Sequence, residues 1–290
     1  MFVSFICANC KRLRGQNNYL RGKCILLTLL YIRVMSVTFG HLIKHWRNIR
    51  RFSQLALSLE SGMSSRHISF LETGRSRPSR SSVLTLARVL EMPKPAVNEA
   101  LLAAGFAPEY KALPLDDTDL APAMSAIMTI LDNHAPMPAI VIDGSWNIVG
   151  GNLPAQHMMQ FLPFKDSLCV VEALLNDNPD NPCFLNWSVI ATWSLMRLQN
   201  EILQDGPDSP LADIYHRLVT DDRVKESDLN SFSDYGPVLT MNVRVDGHVL
   251  TLFTMLAEFS TAQDLTLSER KVELFFAADE LTRSYFENKF

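Results

Sequence analysis

The chain has 290 residues, of which 47% are hydrophobic and 20% charged. This composition excludes a largely disordered protein, and the length is sufficient for two domains with separate cores. The formal net charge of -4 conceals an asymmetry. Residues 1–36 carry six basic and no acidic residues, 37–112 carry eleven basic and five acidic, and 113–290 carry ten basic and 26 acidic. A basic module joined to an acidic one is typical of a protein that contacts a polyanion with one part only.

The cysteines and the apolar runs exclude two further classes of protein. Five cysteines with irregular spacing do not indicate a disulfide framework. Cys7 and Cys10 have CxxC spacing, but no second Cys or His pair follows at the zinc-ligand distance, so we expect no metal site. The apolar run from Ile25 to Ile32 is too short to span a membrane. We therefore expect a cytoplasmic protein with no membrane association.

Residues 1–34 differ in composition from the rest of the chain. They contain no Asp or Glu, three of the five cysteines and no amphipathic period. Met35 then begins a segment that leads directly into an organised helix. We interpret Met35 as the biological start and 1–34 as a non-native or disordered extension. The alternative is a genuine basic arm that contacts DNA.

The pattern becomes helical from Phe39, with apolar residues at three- and four-residue spacing. Ser53 has the position of an N-cap for a short second helix, which Gly62 ends because glycine accepts the left-handed conformation of a tight turn. Ser64 caps a third helix that extends to about Glu72. Two short helices joined by a glycine-containing turn predict a helix-turn-helix, whose second helix enters the major groove of DNA.

A family resemblance strengthens this prediction. The residues that carry it are Ser53-Gln54 with Ala56, Gly62, Ser64, Ile68, Leu71-Glu72-Thr73-Gly74-Arg75, Arg77-Pro78-Ser79 and, for a fourth helix, 83–90. Residues 39–106 thereby resemble the lambda-repressor-like (Cro/C1, or XRE) helix-turn-helix family. The resemblance implies an all-α five-helix DNA-binding domain over 37–106, with two more short helices expected around Pro95 to Ala104.

The resemblance also implies which residues contact DNA. The candidates are Gln54, Ser64, Ser65, Arg66, His67, Phe70, Arg75 and Arg77. Gln54 corresponds to a position that commonly contacts a phosphate, and Arg75 and Arg77 lie in the following loop, where we expect phosphate contacts. On the recognition helix Arg66 can donate two hydrogen bonds to a guanine edge, and Ser65 can serve any base.

Phe70 and Glu72 are unusual residues for a helix that faces DNA. Phe70 stands where the family often has a polar residue, and we expect it to contact a thymine methyl. Glu72 is an acid on a helix that faces DNA, where it would repel phosphate. The resemblance implies that it forms an internal ion pair with Arg47, which resolves the conflict.

Prolines mixed with charged residues place a linker at 107–118, before a second domain at 119–290. The elements predicted there are a helix at 122–133, a β-hairpin of 139–142 and 146–149 around Asp143-Gly144, a helix opened by Asn152, helices at 185–204 and 210–220, a hairpin of 238–245 and 249–259 around Asp246-Gly247, and a final helix from 267 to 285. This order predicts an α+β domain with an antiparallel sheet.

The second domain has a family resemblance of its own. The residues that carry it are Met137-Pro138, Trp146-Asn147-Ile148-Val149 with Asn152, Arg244-Val245-Asp246-Gly247, Asp264-Leu265-Thr266-Leu267 and 276–282. They resemble the PAS-like ligand-binding domain of MmyB-like regulators, which stands behind an XRE-type helix-turn-helix. Ser260-Thr261 depart from the usual Gly, and Ala277 from a common Pro. The resemblance implies an apolar, fatty-acid-like small molecule as ligand, with no required cofactor.

The ligand-binding candidates are Trp146, Met158, Trp193 and Phe253, on the predicted sheet and its covering helices. Apolar and aromatic side chains line pockets for small molecules, but the same residues can also form an ordinary core, and no polar anchor stands out. No catalytic motif is present, so we expect no enzyme activity. We expect a homodimeric regulator that binds an inverted repeat in double-stranded DNA. The alternative is a ligand-independent dimeric repressor whose second domain is only a dimerisation scaffold.

Overall fold

A computed structural model of the chain describes residues 38–206, 209–225 and 238–290. The interpretation of residues 1–34 and of Met35 lies outside these residues. The chain divides into two compact units between Glu109 and Tyr110.

The first unit is all helical over its described residues. Its helices are α1 (Phe39–Ile49), α2 (Gln54–Ser61), α3 (Ser65–Glu72), α4 (Arg80–Val89) and α5 (Lys94–Ala103). Each of the first four begins at a Ser or Thr N-cap whose hydroxyl accepts a hydrogen bond from a backbone N–H in the first turn. These caps satisfy backbone N–H groups of the first turn that have no partner within the helix. They therefore fix the residue at which each helix begins.

A single ten-residue helix, α5, stands where two short helices were expected. Pro95 lies in its first turn, where the missing N–H breaks no helical hydrogen bond. The chain then meets no breaker until Gly105, which has a φ of +84°. The expectation of two short helices was therefore wrong, and the unit is the predicted five-helix domain.

The core of the first unit joins α1 to the helix-turn-helix. Ile43, Leu57, Ile68 and Leu86 are fully buried. A Cβ on Gly40 would lie 2.5 Å from the backbone oxygen of Glu72, so only glycine permits this close approach of α1 to the end of α3. The orientation of α3 is thus fixed by backbone contact as well as by side-chain packing.

The second unit is α+β, with one five-stranded antiparallel sheet. In chain order its elements are α6 (Ala121–His134), β1 (Ala139–Ile142), β2 (Ile148–Gly151), α7 (Leu153–Met159), α8 (Val170–Leu175), α9 (Trp187–Asp205), α10 (Leu211–Val219), β3 (Met241–Val245), β4 (His248–Glu258), α11 (Leu265–Ser268), β5 (Lys271–Ala277) and α12 (Glu280–Glu287). The strand order is β2-β1-β5-β4-β3. The predicted fold class is confirmed.

The predicted final helix over 267–285 was wrong. The segment contains the short helix α11, then the strand β5 at the centre of the sheet, and then α12 with Asp279 as its N-cap. Val272 and Phe275 are β-branched and aromatic residues that pack in the cores on the two faces of the sheet. Pairing with β1 and β4 on both sides overrides any local helical preference.

Strand boundaries also differ from prediction at both hairpins. The strand β2 begins at Ile148, because Trp146 has a φ of +60° and belongs to the turn. The strand β3 begins at Met241 rather than at residue 238. The sheet packs α6 on one face, through Ile127 and Leu131, and the helices α7 to α10 on the other.

Candidate functional site

The recognition helix α3 presents a polar face to solvent. Ser65 and Arg66 are exposed, whereas Ile68 and Leu71 are buried against the rest of the first unit. Ser64 caps the helix, and its hydroxyl accepts a hydrogen bond from the backbone N–H of His67 at 3.2 Å. His67 and Phe70 are half-buried. The outward face of the helix therefore leaves Ser65 and Arg66 accessible from solvent.

Phe70 lies between two arginines. The guanidinium carbon of Arg66 is 5.2 Å from the centre of its ring, and that of Arg75 is 6.0 Å away. Cation–π contacts at exposed sites contribute about 0.5–1 kcal/mol each, enough to bias the side-chain rotamers. The aromatic side chain thus positions one cation on the helix and one in the following loop, where Arg77 is also exposed.

The predicted ion pair between Arg47 and Glu72 is confirmed. Nε of Arg47 donates to Oε1 of Glu72 at 2.6 Å, and Nη2 donates to Oε2 at 3.0 Å. The amide of Gln54 also donates to Oε2, at 2.8 Å. Burial alone would raise the pKa of Glu72, but hydrogen bonds from Arg47 and Gln54 outweigh it and hold the pKa below its ordinary value.

The side chain of Gln54 forms a contact inside the unit that the sequence did not predict. Its side-chain nitrogen is used inside the unit, on the same carboxylate that Arg47 holds. Its backbone lies in the first turn of α2, behind the N-cap Ser53.

The second unit contains an apolar, partly open cavity of about 330 Å³ between one face of its sheet and the helices α7, α8 and α9. Its walls comprise Ile140, Ile148, Met158, Met159, Leu162, Phe164, Val170, Ala173, Leu174, Phe184, Val189, Ile190, Trp193, Ser194, 238–241, Leu252, Phe253, Thr254, Glu273 and Phe275. Met158, Trp193 and Phe253, three of the four ligand candidates, line it. The ring of Phe253 also stacks on that of Phe276 at 5.4 Å.

Trp146, the fourth ligand candidate, does not line this cavity. It is fully buried, and its indole N–H donates to Oε2 of Glu201 at 3.0 Å. The guanidinium carbon of Arg197 lies 4.4 Å from the centre of its ring. Its backbone has a φ of +60°, and its side chain is held in this polar contact rather than in the cavity wall.

A network of charged side chains lies behind the cavity wall. Arg197 donates to Glu201 at 3.1 Å and to Glu273 at 3.3 Å, and Lys271 pairs with Glu201 at 2.8 Å. Burial would raise the pKa of Glu201, but hydrogen bonds from Lys271 and Trp146 hold it below its ordinary value. Glu273 is the member of this network that also lines the cavity, and it is buried.

Sequence reasoning missed Glu273 because it assigned the segment to a helix. The signal was the alternation in Lys271-Val272-Glu273-Leu274-Phe275, which is typical of a strand. On a strand, Glu273 and Phe275 share one face, and this face looks onto the cavity.

Models of known protein families match both units of the chain. The model described as MmyB-like transcription regulator ligand binding domain matches residues 123–288. The chain belongs to the MmyB-like transcription regulators. A helix-turn-helix model matches residues 43–95. The comparison with curated proteins gives no match.

One solved structure is similar to the MmyB-like regulator, under the description "Structure of an RNA-binding Light-Oxygen-Voltage Receptor". It is 14% identical, and the match covers 96% of this chain and 69% of that chain, with a TM-score of 0.25. At that score the likeness carries no argument about function.

The two family matches coincide with the two candidate sites of the MmyB-like regulator. The helix-turn-helix match contains all the DNA-contact candidates, from Gln54 to Arg77. The ligand-binding match contains the whole cavity, from Ile140 to Phe275. The protein is therefore a DNA-binding transcription regulator with a ligand-binding domain. None of the helices that the structure describes is long and apolar enough to cross a bilayer.

Proposed function

We propose that this MmyB-like regulator binds an inverted repeat in double-stranded DNA as a homodimer, and that an apolar small molecule in the cavity of the second unit changes its affinity for DNA. We place this activity in the cytoplasm, and we assign the second unit to sensing rather than to catalysis. The cavity carries the proposal. Its volume of about 330 Å³ lies at the lower end of the range of small-molecule sites, and its lining is mainly apolar.

The DNA-binding half of the proposal is supported by the geometry of α3. Arg66 is exposed on a helix whose opposite face is buried, and it stands next to exposed Ser65. A helix of this kind contacts base edges in the major groove, while flanking arginines such as Arg75 and Arg77 contact phosphates. A single helix-turn-helix covers one half-site, so a dimer on an inverted repeat is the arrangement with sufficient affinity.

The sensing half is supported by the cavity against the alternative of a bare dimerisation scaffold. Protein interiors are close-packed, with few voids larger than a water molecule. A scaffold has no need of a cavity, whereas an aliphatic ligand of the fatty-acid kind would fill it and restore the lost contacts. Met158 and Trp193 are well placed for such contacts.

Native mass spectrometry of the purified full-length protein tests the sensing half. We expect a co-purifying apolar mass, and we expect solvent extraction of this mass to change operator affinity measured by fluorescence anisotropy. A mock-extracted sample is the control for damage by the procedure. A protein that carries no mass, binds no apolar compound and holds its operator unchanged would support the scaffold alternative instead.

A further inference from the structure

The chain segment that directly follows the first unit is hydrogen-bonded to the start of α11 in the second unit. The backbone N–H of Leu113 donates to Oδ2 of Asp264 at 2.9 Å, and the hydroxyl of Thr266 donates to the backbone oxygen of Leu113 at 2.8 Å. The backbone N–H of Leu265 donates to the backbone oxygen of Lys111, also at 2.8 Å. We call the two side-chain contacts, from Asp264 and Thr266 to Leu113, the linker clasp.

The linker clasp holds one point of an otherwise exposed segment. Leu113 is half-buried, whereas Ala112 and Pro114 on either side of it are exposed. Asp264 divides its carboxylate between two tasks, because Oδ1 accepts from the backbone N–H of Leu267 as the N-cap of α11 while Oδ2 accepts from Leu113. A backbone group at the surface can bond to water instead, so these contacts fix the linker on α11 rather than satisfy a buried group.

The helix α11 is joined to the strand that forms part of the cavity wall. Leu267 of α11 packs against the core that contains Val272 of β5. Two other residues of β5, Glu273 and Phe275, line the cavity on the opposite face of the sheet. The strand β5 begins at Lys271, directly after α11. One continuous segment therefore carries the linker clasp at its start and part of the cavity wall at its end.

We infer that the linker clasp couples the cavity to the DNA-binding unit, with Asp264 and Thr266 as positioning residues of this coupling. Neither residue lines the cavity, and neither lies within the helix-turn-helix match. A ligand that packs against Glu273 and Phe275 favours the position of β5 that suits it, and α11 follows because packed elements shift as units. The clasp passes this shift to Leu113 and so to the chain that leads to the first unit. The inference rests on the proposed function and names the route of its regulation.

Two substitutions break the linker clasp with little other change. Thr266→Val has nearly the same shape but lacks the hydroxyl that donates to Leu113. Asp264→Asn keeps one oxygen for the cap of α11 and turns an NH₂ group toward the N–H of Leu113, where two donors meet. Thr266→Ser keeps the hydroxyl and is the conservative variant. Thr261→Val, at an exposed position before α11, is the matched control.

The first measurement is the operator affinity of extracted full-length protein by fluorescence anisotropy, without ligand and at saturation with decanoic acid. In wild-type protein we expect a change of at least about fivefold, the size of a typical coupling between two sites. In Asp264→Asn/Thr266→Val we expect this change to shrink to about twofold or less, while calorimetry gives an affinity for decanoic acid within about twofold of wild type. Thr266→Ser and Thr261→Val should keep the wild-type change. A residue that only stabilised the fold would not lower the coupling and spare ligand affinity.

The second measurement is hydrogen exchange at the amide of Leu113, which must leave Asp264 before it exchanges. Decanoic acid should change its protection in wild-type protein by about threefold or more, because the clasp differs between the empty and occupied states. This readout needs neither DNA nor a variant. It therefore still decides if the double variant does not fold, as judged by its melting curve.

The outcomes separate the linker clasp from the proposed function. If the double variant folds and keeps the wild-type change in operator affinity, the clasp is not the route and the inference is overturned, while ligand-controlled DNA binding stands. Unchanged protection of Leu113 on saturation also overturns it. If decanoic acid does not bind, or binds without changing the operator affinity of wild-type protein, the inference fails together with the sensing half of the proposed function.

Discussion

Removing the carboxylate of Glu72 breaks the ion pair that links α1 to the recognition helix α3. Glu72 accepts from Arg47 at 2.6 and 3.0 Å and from Gln54 at 2.8 Å, and only 3% of its side chain is exposed. In Glu72→Ala the guanidinium of Arg47, itself 10% exposed, loses its counter-charge. Because a buried charge is left unpaired, we expect the first unit to lose stability rather than to relax.

The structure sets the size of this loss. Breaking a buried ion pair by removing one partner costs about 3–5 kcal/mol. Arg47 keeps two acceptors after the substitution, the backbone oxygen of Phe52 at 2.8 Å and the Oδ1 of Asn48 at 3.1 Å. These contacts satisfy part of its hydrogen-bonding capacity, so we expect the lower end of the range, about 3 kcal/mol.

Native-state hydrogen exchange of the full-length protein measures the loss where it occurs. A change of about 3 kcal/mol lowers amide protection by roughly 100-fold in peptides from α1 and α3. Peptides from the sheet of the second unit serve as the internal control, and Glu60→Ala, at an exposed position of α2, is the matched control variant. A loss below about 1 kcal/mol, the size of a surface pair, would refute the reasoning.

Further predictions concern DNA, the cavity and pH. Arg66→Ala should lose about 1–3 kcal/mol of specific binding and relax the preference at one base of each half-site, measured by selection from random sequence. Arg75→Ala should weaken all sequences alike and reduce the slope of log affinity against log salt by about 1; equal effects of the two variants would contradict the assignment. Met159→Trp should fill part of the cavity and reduce the co-purifying mass, with an unchanged mass as the contrary result. The pKa of Glu72 is lowered by folding, so its contribution to stability is present above the unfolded pKa and is lost as the pH falls through the folded pKa. Acid titration of wild-type protein should show this loss in the first unit, and Glu72→Ala should lack it.

The helix-turn-helix was predictable because its signals are local. Ser53 and Ser64 cap helices within one turn of their own position, and Gly62 supplies the positive φ between them. Such signals do not depend on the rest of the fold. The sequence therefore located α2 and α3, and the resemblance supplied the Arg47–Glu72 pair.

The sheet was less predictable because its central strand is defined by distant partners. Glu273 pairs with Ile140, far away in the chain, and its neighbours do not show which segment will lie beside them. The mistake at β5 had a functional consequence, since it hid the polar group of the cavity wall. Trp146 was misplaced for a different reason. Its aromatic character favoured a strand, whereas the turn places its indole against Arg197 and Glu201.

The central claim is that occupancy of the cavity changes DNA affinity. The most direct test is the operator affinity of extracted protein, measured by fluorescence anisotropy without ligand and at saturation with decanol or decanoic acid, whichever binds. Coupling between two sites is typically about 1–3 kcal/mol, so the account predicts a change of at least about fivefold in operator affinity. By reciprocity, DNA should change ligand affinity by the same factor. Identical operator affinity with the cavity empty and saturated would contradict the account.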